Sequence, residues 1–336
     1  MTTPEFLLEL RGLDVQVWLE GDRVRCSAPP DVLTAERRAE LARRKVEIEA
    51  LLKAARAAAP GSIVPIETGG SRLPFYAVPG HNGDVFCFVR LARCLGTDRA
   101  FYGLQPPGLD GTSPCATIEE LAGHFVRELL EHQPEGPYQL GGYCLGGLTA
   151  FEMARQLRRM NLEVRALVLF GTMSPPALRP TNRARLALAQ WSEDRLRGAR
   201  AFADLSGRDR VLKVKEKVRA SVAPDEQERD EAGPADELTA RRLRVEAATL
   251  AAAHQYRPEP YEGQVMLFVP NEASTRSLDR PLEWEGYARG GMDVFYGPDD
   301  CDGDSMLKEN AAAVFADALA GRLDKLAAQA AVGMHA

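Results

Sequence analysis

Apolar and polar positions follow one pattern over the first 58 residues and another beyond residue 62. Residues 3–12 are apolar-rich with helical spacing. VQVWLEGDRVRCSAP then alternates as two strands meeting at Gly21-Asp22, a hairpin signal. Thr34 is placed to cap a helix running to about Ala58, with Leu41, Ile48 and Leu52 on one face. After Pro60-Gly61-Ser62 short apolar strands alternate with helices. IVPIETGG, LPFYAVPG, AFYGLQPPG, PYQL, VRALVLFGT, QVMLFVP and DVFYGPD read as strands. Ile118–His132, the stretch from Gly147 and residues 309–319 read as helices. This alternation predicts an α/β domain with a mostly parallel sheet and helices on both faces. Between Pro175 and Ala253 the strand signal stops in a charged, helix-rich stretch broken by DEQERDEAGPADE. The expected organisation is a small α+β unit (1–58), a linker (59–66) and an α/β domain (67–325). The latter carries an insertion at about 177–253, expected as a lid over the C-terminal edge of the sheet.

Composition narrows the partners. The 336 residues are 45% hydrophobic, enough for a sizeable core, and the net charge of −6 comes without an extended basic stripe, so nucleic acid is not expected. Nowhere do about 18 uncharged apolar residues follow one another, so no membrane span is expected. The N-terminus carries charge within its first apolar run. A cytoplasmic protein is the expectation. Cys26, Cys87, Cys94, Cys115, Cys144 and Cys301 show neither metal-ligand nor disulfide-framework spacing, so no metal is expected and free thiols are.

One cysteine stands in a chemical context. Gly142-Tyr143-Cys144-Leu145-Gly146 lies between an expected strand and an expected helix and fits G-x-[S/C]-x-G. In that pattern small flanking residues permit a strained turn that presents a nucleophile above the sheet. The bland reading is a buried cysteine in a turn that needs glycine only for packing. A helix N-terminus should lower the thiol pKa, so a useful thiolate fraction is expected without a neighbouring base.

PFYAVPGHNGDVFCFVRLARCLG, AFYGLQPPGLDG, EGPYQLGGYCLGGLTAFEMARQL and VRALVLFGT resemble the thioesterase domains of nonribosomal peptide and polyketide synthases over about residues 63–325. The resemblance implies an α/β-hydrolase fold with a helical lid. It implies no bound cofactor, but an acyl or peptidyl chain delivered as a thioester on the phosphopantetheine arm of a carrier protein. Cys144 would take the chain and pass it to water, an amine, an alcohol or an internal nucleophile. The backbone N–H groups of Leu145 and His81 would form the oxyanion hole.

The chain departs from that family at three points. Cysteine replaces the usual serine, Gly171 then Thr172 stand where the acid follows its strand, and GPDDCDGDSML lacks the usual histidine near Gly303. Groups that could stand in are His81, next to the expected site; His124 and His132, expected to pack or face solvent; His254, at the lid's end; and Glu272, after QVMLFV. The acidic run Asp299, Asp300, Asp302 and Asp304 around Cys301 would supply a base only if burial raised a carboxylate pKa. Cysteine keeps the acyl group as a reactive thioester, which favours cyclisation or acyl transfer over hydrolysis. The alternatives are a catalytically degenerate module that binds carrier proteins and a hydrolase that edits stalled carriers.

The first 58 residues, above all WLEGDRVRCSAP, resemble the tubulysin-type N-terminal docking domains of multienzyme synthases. This implies that the hairpin receives the C-terminal peptide of an upstream synthase subunit by strand addition. Trp18, Arg23 and Arg25 would meet that peptide, with Arg43, Arg44 and Lys45 suiting an acidic one.

Overall fold

A computed structural model describes residues 32–50, 61–109, 111–175, 237–271 and 283–333, with residues 3, 6, 7, 10, 13, 15–20 and 23–27 ahead of them. The chain divides into two compact units, Met1–Gly61 and Ser62–Ala336. Among the described residues no helix is long and apolar enough to cross a membrane. No two of the six cysteines are joined.

In the first unit β1 (Gln16–Glu20) and β2 (Arg23–Ser27) form the expected antiparallel hairpin, with Trp18 opposite Arg25 and Glu20 opposite Arg23. The side chains of Trp18, Arg23 and Arg25 lie outside the described residues. Phe6, Leu10 and Val15 are buried together and pack against Val17, Val32, Leu33 and Leu41. Thr34 caps α1 (Ala35–Arg43) by accepting from the Arg37 N–H at 3.3 Å. The helix pauses at Arg44, whose backbone (φ −92°, ψ 6°) leaves the helical region, and resumes over 45–50. At that pause the Arg44 guanidinium lies 5.4 Å from the Phe6 ring centroid and donates to Thr3 Oγ1 at 3.1 Å. The expected end of this helix near Ala58 lies outside the described residues.

The second unit is a seven-stranded sheet in the order β3-β5-β4-β6-β7-β8-β9. Its strands are β3 (Ile63–Glu67), β4 (Arg72–Val78), β5 (Arg99–Leu104), β6 (Tyr138–Tyr143), β7 (Val164–Phe170), β8 (Val265–Val269) and β9 (Met292–Tyr296). Among the described strands only β3 runs antiparallel, along the outer side of β5. Residues 63–66, placed in the linker from sequence, thus belong to this edge strand. Central strands such as VMLFV of β8 are buried at every position, as a parallel sheet covered on both faces requires.

The helices α2 (Val89–Leu95), α3 (Ile118–His132), α4 (Gly146–Arg159), α5 (Glu237–Gln255) and α6 (Glu309–Gly333) provide that cover. In α3, Ile118, Leu121, Ala122, Phe125, Val126 and Leu129 recur at helical spacing and are buried. Thr117 begins it by accepting from the Glu120 N–H at 3.1 Å, while Glu120 accepts from the Ala116 N–H at 3.0 Å. One core joins α3, α4 and Tyr256 to the sheet, with Phe151 and Trp284 at 4.9 Å between ring centroids. The other joins α2 and α6 to the opposite face through Phe88, Phe268 and Phe315. Of the expected lid, residues 176–236 lie outside the described residues and α5 lies within them.

Candidate active site

The turn between β6 and α4 has the geometry that its glycines allow. Cys144 sits at φ 52°, a left-handed conformation that a side-chain-bearing residue adopts only when its surroundings impose it. The surroundings do so sterically. A Cβ on Gly142 would lie 2.4 Å from the Gly146 carbonyl oxygen, and one on Gly146 would lie 2.0 Å from the Pro79 carbonyl oxygen. Two hydrogen bonds hold the turn: the Cys144 N–H donates to Phe170 O at 2.9 Å, and the Gly147 N–H donates to Cys144 O at 3.2 Å.

Electrostatics corrects one expectation. Burial pushes the Cys144 thiol up, the nearby Leu145 N–H donates to the sulfur and draws it down, and the Asp304 charge adds to the rise. The net direction is upward, because losing hydration penalises the thiolate more than one backbone dipole offsets. The resting group is a thiol that must lose its proton as it reacts.

Both relay positions of the conventional machinery are structurally closed or empty. After β7, Gly171 has φ 55° and donates its N–H to Phe268 O at 2.8 Å. A Cβ there would lie 2.8 Å from the sulfur of the fully buried Met306, so a thioether borders the place where a carboxylate would stand. Thr172 is buried, with its hydroxyl donating to Phe170 O at 3.3 Å and its carbonyl accepting from Trp284 Nε1 at 2.6 Å. In the loop after β9, a Cβ on Gly303 would meet nothing within 4 Å, and the Gly303 carbonyl accepts from the Tyr143 hydroxyl at 2.5 Å.

That loop is organised for its own stability. Asp302 Oδ1 accepts from the Ser305 N–H at 2.8 Å and the Ser305 hydroxyl at 2.7 Å, and these bonds hold its carboxyl below the usual range. Asn271 Nδ2 donates to the Cys301 carbonyl, and the buried Cys301 thiol is pushed up by desolvation. Asp299, Asp300, Asp302 and Asp304 are exposed. Glu272 lies outside the described residues.

The histidines separate cleanly. His124 Nε2 meets Ser62 Oγ at 2.6 Å at the start of the sheet domain. His132 packs edge-on against Tyr102, 4.8 Å between ring centroids. His254 is exposed at the end of α5, where its carbonyl accepts from Arg257. His81 follows Gly80, and a Cβ on Gly80 would lie 3.7 Å from Cys144 Cβ, so the His81 turn is next to the elbow. His81 Nε2 is 3.5 Å from Glu246 Oε1 on α5. Sequence reasoning did not single out Glu246, which sits among the charges of RRLRVEAATL with no motif around it.

Comparison with known proteins agrees with this architecture. The nonribosomal peptide synthetase apvA of Aspergillus terreus is 33% identical over 165 residues, covering 49% of this chain and 17% of that protein. Indigoidine synthase of Dickeya dadantii is 37% identical over 130 residues, covering 38% of this chain and 9% of that protein. The chain therefore spans less than a fifth of the length of these relatives. The thioesterase domain of NocB, solved as a covalent complex with a fluorophosphonate nocardicin G analogue, has 24% identity and a TM-score of 0.51 over 78% of this chain and 99% of that one. The model of the TubC N-terminal docking domain matches residues 4–53. The thioesterase domain model matches residues 74–304, and with its elbow between β6 and α4 the chain belongs to that family.

Proposed function

We propose that this protein releases a carrier-bound peptide or polyketide thioester through a covalent acyl-Cys144, by cyclisation or acyl transfer in preference to hydrolysis. The observation that carries the proposal is the elbow itself. Cys144 is held at φ 52° by glycines that tolerate no Cβ, and a cysteine with only a packing role has no need of that strain.

In the first step Cys144 Sγ attacks the thioester carbonyl and its proton passes to the His81 imidazole. The Leu145 and His81 N–H groups receive the developing oxyanion, and the phosphopantetheine thiolate leaves, taking a proton from the imidazolium. In the second step an amine, hydroxyl or carbon nucleophile attacks the acyl-Cys144 thioester. The Gly303 position supplies no imidazole and Gly171 no carboxylate, so His81 must serve as base again, and a nucleophile held in place by the acyl chain or by a bound acceptor reaches it ahead of water. The substrate arrives on an acyl or peptidyl carrier protein, and the β1–β2 hairpin recruits the C-terminal peptide of the upstream subunit by strand addition.

A second reading, a carrier-binding module without turnover, draws on the Met306 thioether beside Gly171 and on the raised thiol. Intact-protein mass spectrometry with an acyl-phosphopantetheine separates the two. An acyl adduct on the wild type and none on Cys144→Ala is the expected result; carrier binding with no adduct would establish the module.

A further inference from the structure

We infer that Glu246 on α5 is the positioning carboxylate for His81, so that the proton relay missing from the loops after β7 and β9 is rebuilt between the turn after β4 and the lid helix. This rests on the covalent reading above.

The contact joins two rigid pieces. On one side His81 occupies a tight turn in which the Gly83 N–H donates to Gly80 O at 3.0 Å. Gly83 has φ 72°, and a Cβ there would lie 2.8 Å from Pro106 Cγ, so the turn is packed against the loop after β5. Asp84 fixes the far end by accepting from the Phe86 N–H at 3.1 Å. On the other side, α5 is pinned along its length. Val245, 1% exposed, lies against Gly108, where a Cβ would approach to 2.8 Å, and the Arg241 guanidinium lies over Gly111. Just beyond the end of α5, the Tyr256 hydroxyl donates to Glu152 Oε2 at 2.8 Å on α4, the helix that starts at the elbow. Glu246 is thus presented by a backbone tied to the same elements that hold Cys144.

The chemistry follows from which nitrogen faces the acid. Glu246 Oε1 is 3.5 Å from Nε2 of His81, so the carboxylate favours the tautomer with its proton on Nε2 and the lone pair on Nδ1. As the Cys144 sulfur bonds to the substrate carbonyl, the thiol proton moves to Nδ1 and the carbonyl electron pair moves to oxygen. The imidazolium so formed faces a negative charge. Collapse of the intermediate returns the proton to the departing pantetheine sulfur. Both side chains are partly open to solvent, at 43% and 36%, which weakens the pair relative to a buried one and leaves room for the acyl chain to exclude water on binding.

The test measures acylation by octanoyl-phosphopantetheine, using rapid quench and intact mass, on the full chain and on His81→Gln, Glu246→Gln, the double variant and Cys144→Ala. Glu246→Gln is expected to lower the saturating acylation rate about ten-fold while the half-saturating concentration stays within about two-fold. The double variant is expected to be no slower than His81→Gln alone, and Glu246→Asp to recover part of the rate. Wild-type acylation rates in both Glu246→Gln and Glu246→Asp overturn the inference and leave the covalent reading standing, as does a loss that multiplies with that of His81→Gln. Absence of an adduct on the wild type overturns both.

Discussion

At the scale of single residues, the departures from a Ser-His-Asp relay have physical counterparts that can be reversed. Gly303 has open space where a side chain would go, so Gly303→His should be accommodated without strain. Gly171→Asp meets two obstacles, the left-handed φ of 55° and the Met306 sulfur 2.8 Å from the new Cβ. Together these are expected to cost about 1–3 kcal/mol, read as a lowered urea midpoint. Met306→Ala removes the second obstacle, at the cost of a cavity in the core beneath α6. The triple variant Gly303→His, Gly171→Asp, Met306→Ala should shift the products of an acyl-phosphopantetheine toward the free acid. The measurement is the ratio of acid to amide formed with a competing amine. An unchanged ratio would mean that water is excluded by the shape of the site and not by want of a base.

At the scale of elements, α4 carries both the elbow and a buried charge cluster that fixes its neighbours. Glu152 is 1% exposed and accepts from Arg155 Nη1 at 2.5 Å and from the Tyr256 hydroxyl at 2.8 Å. Arg155 also reaches Glu259, which Arg159 contacts from the next turn of α4. Removing the cation strands a buried carboxylate, so Arg155→Met is expected to destabilise the domain by about 3–5 kcal/mol. Tyr256→Phe, which removes one of several bonds to Glu152, should cost about 1–2 kcal/mol. Urea denaturation checks both, and equal losses would show that the cluster depends on the Tyr256 hydroxyl as much as on the cation. This cluster also marks the limit of what the sequence told. The strands from Arg72 to Phe170 and the elbow were legible because local periodicity and glycine spacing write them directly. The edge strand Ile63–Glu67 was legible in IVPIETGG, and only the linker bound at 66 overlapped it, since Pro60-Gly61-Ser62 punctuates the chain just before it. Met306 beside Gly171 and Glu246 beside His81 were not legible, because each contact joins segments far apart in sequence. The thiol shift was misjudged for a related reason, since burial is a tertiary property and the helix terminus a local one.

At the scale of the whole molecule, the region matching a docking domain precedes the thioesterase domain, and this order bears on how the proposed release enzyme would find its carrier. If the β1–β2 hairpin receives an acidic peptide, charge on its strands should govern encounter and not chemistry. Arg23 and Arg25 lie on β2, opposite Glu20 and Trp18 of β1, so reversal also sets a second carboxylate across from Glu20, and the unit's stability has to be measured beside its docking. The paired change Arg23→Glu and Arg25→Glu is therefore expected to raise about ten-fold the concentration of upstream subunit needed for half-maximal product formation, roughly 1.4 kcal/mol of binding. Acylation by free octanoyl-phosphopantetheine, which needs no docking, should be unchanged. The wild-type advantage should also shrink as salt is raised, because exposed charges are screened within about 8 Å at physiological ionic strength. A variant slowed equally with the free and the carrier-borne thioester would place the two arginines in the stability of the unit and not in recognition, and the recruiting surface would have to be sought on α1, where Arg43 is exposed in its last turn.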